Sequence, residues 1–314
     1  MTVPVLITGA SGFAGRHLTA ACAAAGDEVV AASRSGEDVS VDLRDGEAAR
    51  AAVADVRPRV VYHLAARAHV GASWRDPAGT LADNLAMTLN LLEAVRHEAP
   101  EATVVAVASS EIYGPPERLP VDESAPLRPQ NPYAVSKASA DLLAGFYADA
   151  HGLRVIRVRA FNHAGPGQEP TYAISSFARQ VAGGLEAGDD PIRVVTGNPD
   201  TRRDYTDVRD VARAYRLLAE GAEPGVYNVC SGRSTSAAEL VALLGRAAGV
   251  RVEHEVDESL LRPHEVMELR GSGDALRSGT GWTPRIGLEQ TVADTLKWWV
   301  GQLRAGRGGS RVSE

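Results

Sequence analysis

Lysine is almost missing from this chain: Lys137 and Lys297 are the only two, and arginine supplies the other 31 of the 33 basic residues. Cysteine is as scarce. Cys22 and Cys230 stand far apart in sequence without metal-ligand residues beside them, which excludes a disulfide framework or a zinc site and leaves two small, redox-inert core residues. No apolar run approaches the roughly 20 residues that span a bilayer. The opening "MTVPVLITGA" enters a short apolar strand with neither a basic leader region nor a cleavage site. A cytoplasmic protein with no membrane segment and no metal is therefore expected. An excess of positive charge is lacking too: the net charge of −7 argues against a nucleic-acid partner, which would be met by a basic stripe.

What is present is an ordinary soluble composition, 44% hydrophobic and 23% charged over 314 residues, enough for a packed fold of one or two domains. Short apolar runs in "VPVLITGA" (3–10, ending in a glycine turn) and at 28–33, 60–64, 103–108 and 154–159 read as strands. Helical spacing fills the intervals at 13–25, 45–56, 80–99 and 133–151. Serial β-α-β units with right-handed crossovers predict a doubly wound parallel sheet. After residue 160 the rhythm turns irregular through the Gly/Pro-rich "HAGPGQEP" and "TGNPDTRRD". The expected division is a dinucleotide-binding domain over 1–161, joined by 206–228, and a smaller α/β substrate domain over 162–205 and 229–304. The tail at 305–314 lacks an apolar face and is expected to be mobile.

The first motif, "TGASGFAG", places Gly9, Gly12 and Gly15 after the first strand, with Phe13 opening the first helix. Glycines allow a tight turn and close backbone approach to a pyrophosphate resting on helix N–H groups. At the end of the second strand, where an acid would accept a ribose 2′-hydroxyl, stand Ser33 and Arg34. A hydroxyl and a guanidinium suit a 2′-phosphate, so NADP(H) is favoured with NAD(H) possible. The second motif, "NPYAVSK", sets Tyr133 and Lys137 one helical turn apart on one face. In a chain that otherwise uses arginine, a lysine at 137 points to a need for a compact ammonium beneath a phenol. Its charge is expected to lower the Tyr133 pKa towards neutrality. An exposed Tyr/Lys pair on a helix surface is the bland alternative.

Together with "VDL" at Asp42, "HLAA" at 63–66, Asn84, "SSEIYG", "FNHAGPGQ", "RRDYTDVRD" and "RPHEV", these motifs resemble the extended short-chain dehydrogenase/reductases that act on nucleotide sugars, over nearly the whole chain. The resemblance implies a Rossmann sheet with a smaller domain for the nucleoside diphosphate. It implies that Asp42 and Leu43 contact the adenine, that Ala65 and Ala66 line the nicotinamide half, and that Lys137 holds the nicotinamide ribose. Ser109 would bond the sugar C4 oxygen while Tyr133 exchanges its proton with it. A homodimer built from the helices at 80–99 and 133–151 is implied as well. A nucleotide sugar brings a diphosphate, for which the guanidinium forks of Arg203 and Arg262 are candidates. Ser110, Asn162, His163 and Glu265 complete the expected substrate contacts. His163 reads equally as a satisfied loop histidine, Arg202 and Arg209 as solvated charges, and His63 as space-filling against the sheet.

Within that family the pattern resembles the GDP-mannose 4,6-dehydratases and the GDP-4-keto-6-deoxymannose reductases. Elimination of water needs a base for the C5 proton, and Glu111 in "SSEIYG" could serve. The dTDP-glucose dehydratases resemble Thr-Asp-Glu here, and Ser110 removes that acid; the Thr-Ser-Glu of GDP-mannose dehydratases is nearly matched. The segment "FNHAGPGQEPTYAISSFARQV" resembles the reductase instead. The expected activity is NADPH-dependent reduction of the C4 ketone of an NDP-4-keto-6-deoxyhexose, GDP- or dTDP-linked. A dehydratase with Glu111 as base, a 4-epimerase and a non-catalytic NADP(H)-binding protein are the alternatives.

Overall fold

The computed structural model describes residues 3–36, 38–261 and 265–309. Its first half follows the expected alternation: β1 (Val5–Thr8), α1 (Phe13–Ala24), β2 (Val29–Ser33), β3 (Val39–Ser40), α2 (Gly46–Val56), β4 (Val60–His63), α3 (Val70–Arg75), α4 (Pro77–Glu98), β5 (Thr103–Ser109), α5 (Pro132–His151) and β6 (Val155–Ala160). The helix boundaries have local causes. Asp45 accepts from the amides of Glu47 and Ala48 to start α2, and Asn131 with Pro132 at the first helical position starts α5. Gly152, left-handed at φ 69°, ends α5.

The second half holds β7 (Asn162–Ala164), α6 (Ala173–Ala187), β8 (Ile192–Thr196), β9 (Arg202–Asp207), α7 (Val208–Gly221), β10 (Gly225–Val229), β11 (Ser234–Ser236), α8 (Ala237–Ala248), β12 (Val252–Val256), β13 (Glu268–Leu269), α9 (Asp274–Thr280) and α10 (Leu288–Gly309). Three features depart from the sequence reading. The two-residue β3 and the six-residue α3 are too short to leave a periodic signal. The stretch read as irregular contains long helices whose apolar faces pack on one another. And α10 continues to Gly309 through the segment expected to be mobile from 305; Arg304 is tied to Glu186 at 2.7 Å near this end, and 310–314 lie outside the described residues.

Seven parallel strands form the central sheet in the order β10-β6-β5-β4-β1-β2-β3. The order reverses between β1 and β4, which opens a crevice beyond their C-terminal ends, the usual ligand site of an open α/β sheet. One core lies between the sheet and the α1/α7 side, with Leu18, Val211 and Tyr215; the other lies on the α2/α4/α5 side, with Val53, Leu91 and Ala144. A third apolar cluster, from α6, β8, α8 and α10, includes Ile174, Phe177, Leu244 and Leu296. Trp299 packs at its margin and donates from Nε1 to Ser175 Oγ at 2.9 Å; Trp298 meets it edge-on at 4.8 Å.

Candidate active site

The crevice is floored by the glycine turn. Gly9 has φ 72°, and a Cβ there would come within 2.8 Å of Ala65 N; a Cβ on Gly15 would collide with the Gly9 carbonyl. Only glycine fits either position, so the backbones of the turn, of α1 and of the 65–66 segment lie together. Gly12 caps α1 with no side-chain bond, leaving first-turn N–H groups free for an anion. This is the cradle that a dinucleotide pyrophosphate needs. Ser33 and the exposed Arg34 stand at the end of β2, beside the turn through the Gly9 N to Ala32 O bond of 3.0 Å. Asp42 is held in a double ion pair by Arg44, at 2.5 and 2.9 Å, which pulls its carboxyl down to about 2; Leu43 is buried behind it.

Behind Ala65 and Ala66, both half-buried, runs a polar relay that the sequence did not announce. His63 Nδ1 lies 2.9 Å from Thr8 Oγ1 and its Nε2 3.1 Å from Thr88 Oγ1, whose hydroxyl donates to Asn84 O at 3.0 Å. With its proton so committed, Thr88 accepts from Nε2–H, which makes Nδ1 the acceptor of the Thr8 hydroxyl. Burial holds the imidazole neutral, with its pKa near 3, and the nearby Lys137 charge adds to this. His63 is thus a rivet between β1, β4 and α4, as the space-filling reading required. Asn84 extends the relay, donating to Ser136 Oγ at 2.8 Å, and Ser136 donates to Tyr133 O at 2.7 Å.

The catalytic candidates meet where β5 ends and α5 begins. Ser109 is the last residue of β5, and residues 110–113 form a 3₁₀ turn whose Glu111 N donates to Ser109 Oγ at 3.3 Å. Glu111 is half-buried and receives the Asn131 amide at Oε2, 3.1 Å, while Asn131 Oδ1 caps α5 by accepting from Ala134 N at 2.8 Å. Tyr133 is 9% exposed, and the Ser109 hydroxyl lies near enough to its phenol to favour ionisation. Ser110, expected to contact the sugar directly, is 1% exposed and enclosed in the turn.

Lys137, 6% exposed, donates to Val107 O at 2.7 Å; burial brings its pKa down to about 8, and the Asp141 carboxylate one turn on works against this. The expected lowering of the Tyr133 pKa is not what the structure shows. Burial pushes it well above the ordinary tyrosine range; the Ser109 bond opposes, and the charges of Tyr172 and Glu111 add to the rise. Desolvation outweighs a lysine whose ammonium is drawn to a backbone carbonyl.

The residues expected on the substrate side lie on β7, β9 and the loop before β13. Asn162 pairs in register with Tyr205. Arg203 donates to Val266 O at 2.8 Å, which brings it beside the loop carrying the half-buried Glu265. Arg262 lies outside the described residues. His163 is turned elsewhere than expected: its ring stacks on Phe13 at 6.0 Å and 7°, and its Nδ1 donates to Phe161 O at 3.1 Å. It is a satisfied histidine of β7, held on the glycine-turn side rather than facing the other residues expected on the sugar. Arg202 and Arg209 are not simply solvated: Arg202 pairs with Glu239, and Arg209 with the buried Asp207 and with Asp294, both at 2.7 Å. Tyr172, half-buried at the start of α6 with its ring packed on His69 at 5.4 Å, was not singled out from sequence.

Comparison with known proteins identifies the family of the chain. The family model described as GDP-mannose 4,6 dehydratase matches residues 6–295. The chain is 38% identical to the GDP-6-deoxy-D-mannose reductase of Pseudomonas aeruginosa, over 97% of this chain and 99% of that protein. To the GDP-mannose 4,6-dehydratase of Yersinia enterocolitica it is 26% identical, over 81% and 76%. Among solved structures, that of RMD from Pseudomonas aeruginosa complexed with NADPH superposes with a TM-score of 0.86 at 37% identity, covering 96% of this chain and all of the other.

Proposed function

The chain belongs to the GDP-mannose 4,6-dehydratase family of extended short-chain dehydrogenase/reductases, and we propose that it is an NADPH-dependent reductase of the C4 ketone of a nucleoside-diphosphate 4-keto-6-deoxyhexose, GDP-4-keto-6-deoxymannose foremost. One observation carries the choice within the family. The likeness to the reductase runs end to end in both chains at 38%, whereas the dehydratase relatives are 26 to 31% identical and leave about a quarter or more of their own length unmatched.

The site is chemically suited to this reaction. The glycine cradle fits a pyrophosphate, Ser33 and Arg34 a 2′-phosphate, and Lys137 the ribose beside the nicotinamide. Bound there, NADPH supplies the hydride. Ser109 orients the C4 carbonyl oxygen by a hydrogen bond, and Tyr133 gives it a proton as the alkoxide develops. A phenol whose pKa is raised by burial stays protonated at neutral pH and is poised as a donor. Lys137, with a pKa near 8, carries its charge below that pH and stabilises the tyrosinate left behind. Asn162, Arg203 and Glu265 are assigned to the nucleoside diphosphate. A second reading, the 4,6-dehydratase, draws on the Glu111 carboxylate beside the Tyr133 phenol, where a C5 base would be needed.

The same reading includes a cytoplasmic homodimer. Leu81, Leu85 and Leu89, four residues apart on α4, and Val135, Leu142 and Phe146 on α5 are exposed, and adjacent helices with such faces suit a four-helix interface with a second copy. Among the described residues no helix is long and apolar enough to cross a membrane.

The test follows NADPH absorbance with GDP-4-keto-6-deoxymannose and, separately, with GDP-mannose. Consumption with the first and no 4-keto product from the second is expected; the reverse pattern refutes the reductase assignment.

A further inference from the structure

Tyr133, Lys137 and Asp141 stand four residues apart on α5, so one face of that helix carries a phenol, an ammonium and a carboxylate. All three are buried, Asp141 with 2% exposed. Their anchors on the sheet are neighbours. Lys137 Nζ donates to Val107 O at 2.7 Å, and Asp141 Oδ2 accepts from Arg159 Nη2 at 2.9 Å. Arg159 pairs in register with Ala108, the residue after Val107, so the ammonium and the carboxylate reach adjacent positions of the β5 and β6 pair.

Arg159 is itself fixed from several sides. Its Nη1 donates to Glu123 O at 3.0 Å and to Tyr113 Oη at 3.1 Å, and Tyr113 in turn donates to Asn228 Oδ1 at 2.7 Å. Tyr113 closes the 3₁₀ turn that carries Glu111, so this network ties that turn to α5. Arg157, half-buried, lies 3.6 Å from the same Asp141 Oδ2. Two guanidiniums thus crowd one carboxylate oxygen, while the other, Oδ1, is buried and takes no hydrogen bond from any described residue. A clamp between helix and sheet does not require this: a buried ion pair scarcely repays its desolvation, and apolar residues of the same size often hold as well. Among the described residues Asp141 is the only buried carboxylate on α4, α5, β4, β5 or β6. It is the counter-charge that a buried lysine lacks elsewhere.

We propose that Asp141 is the positioning residue of Lys137, its buried carboxylate holding the lysine as an ammonium one helical turn from the Tyr133 phenol. What the ammonium then does rests on the ketosugar reductase reading. Burial drives the Lys137 pKa down to about 8, and Asp141 limits that fall. The other titratable or charged groups around this face are Tyr133 on the same helix, His63 on β4, which burial keeps neutral, Glu111 in the 3₁₀ turn, held by Asn131, and Arg157 and Arg159 on β6. From α4 come Asn84 and Thr88, which carry no charge. The guanidiniums repel an ammonium, so the attraction falls to Asp141.

The chain has only two lysines, and Lys297 is exposed on α10, so protein grown on lysine isotope-labelled at Cε reports Lys137 by NMR with a single other signal. Lys137→Met identifies which is which. The Lys137 titration midpoint is measured in cofactor-free wild type, Asp141→Asn and Arg159→Met. Asp141→Asn should lower it by about one pH unit, and the alkaline limb of kcat for NADPH oxidation with GDP-4-keto-6-deoxymannose should move down with it. Arg159→Met breaks the same ion pair but keeps the carboxylate, so its midpoint should not fall. An unchanged midpoint in Asp141→Asn, or an equal fall in both variants, overturns the inference, because a clamp alone would treat the two alike. A limb that stays while the midpoint moves overturns it too. If Asp141→Asn folds poorly, the double variant Asp141→Asn/Arg159→Met removes the carboxylate without stranding its guanidinium partner, and its midpoint must lie below that of Arg159→Met. If wild-type enzyme fails to oxidise NADPH with the ketosugar, the reductase reading falls and the lysine titration still decides the link to Asp141; if wild type turns over and the midpoint is unmoved, this inference alone falls.

Discussion

Asn131 joins Glu111 to the catalytic helix: its side-chain amide donates to Glu111 Oε2 at 3.1 Å while its carbonyl oxygen accepts from Ala134 N at 2.8 Å. One side chain thus caps the helix bearing Tyr133 and Lys137 and orients the carboxylate next to them. Asn131→Ala should cost about 1 kcal/mol of stability through the lost cap. It should also slow turnover, because Glu111 and the start of α5 lose a common reference. Asn131→Asp retains the cap but sets two carboxylates together, so it should recover stability without recovering rate. Chemical denaturation and steady-state kinetics on both variants check this; equal rates for Asn131→Asp and wild type would count against the link.

Tyr133→Phe should lower turnover about 10²- to 10⁴-fold with little change in NADPH affinity, since it removes the proton donor and leaves the groove intact. Near-normal turnover would mean that the proton comes from elsewhere.

Lys137 makes stability depend on pH. Its pKa falls from the ordinary lysine value of 10.5 to about 8 in the folded protein, so between those values the unfolded chain holds more protons than the folded one. Stability from this group is therefore gained as pH rises from about 8 to 10.5 and lost as pH falls through 8, by ~3 kcal/mol in all. In cofactor-free protein Lys137→Met should be more stable than wild type at pH 7, and the gap should close towards pH 10.5. A gap that does not vary with pH would show that burial does not strain the lysine.

Arg34→Ala should weaken NADPH by about 1 to 3 kcal/mol and NADH much less, as expected for a lost charge-assisted bond to the 2′-phosphate. Titration of both cofactors by fluorescence decides it; equal losses would remove Arg34 from cofactor selection.

The sheet and the glycine turn were legible because each imposes a residue type locally. Short apolar runs must be strands at that spacing, and Gly9 and Gly15 stand where a Cβ has no room. Lys137 was legible for another reason, as a lysine in a chain of arginines. What escaped the sequence depends on contacts distant along the chain. His63 takes its role from Thr8 and Thr88, and Arg209 from Asp207 and Asp294. His163 and Tyr172 are placed by Phe13 and His69, about 150 and 100 residues away in sequence. The direction of the Tyr133 shift was misjudged because adjacency to Lys137 can be read from spacing, whereas the depth of burial that outweighs it cannot.

Glu111 separates reduction from dehydration most directly. A reductase consumes one NADPH per sugar and needs no C5 base, whereas a dehydratase oxidises and reduces its cofactor within one cycle and takes a solvent proton into the product. The deciding measurement counts NADPH consumed per 4-keto-6-deoxy sugar and follows solvent deuterium with GDP-mannose, for wild-type enzyme and Glu111→Gln. One NADPH per ketosugar, no product from GDP-mannose, and a loss of less than about 100-fold in Glu111→Gln are expected. A deuterated 4-keto product from GDP-mannose, abolished by Glu111→Gln, would contradict the reductase assignment and make Glu111 the base.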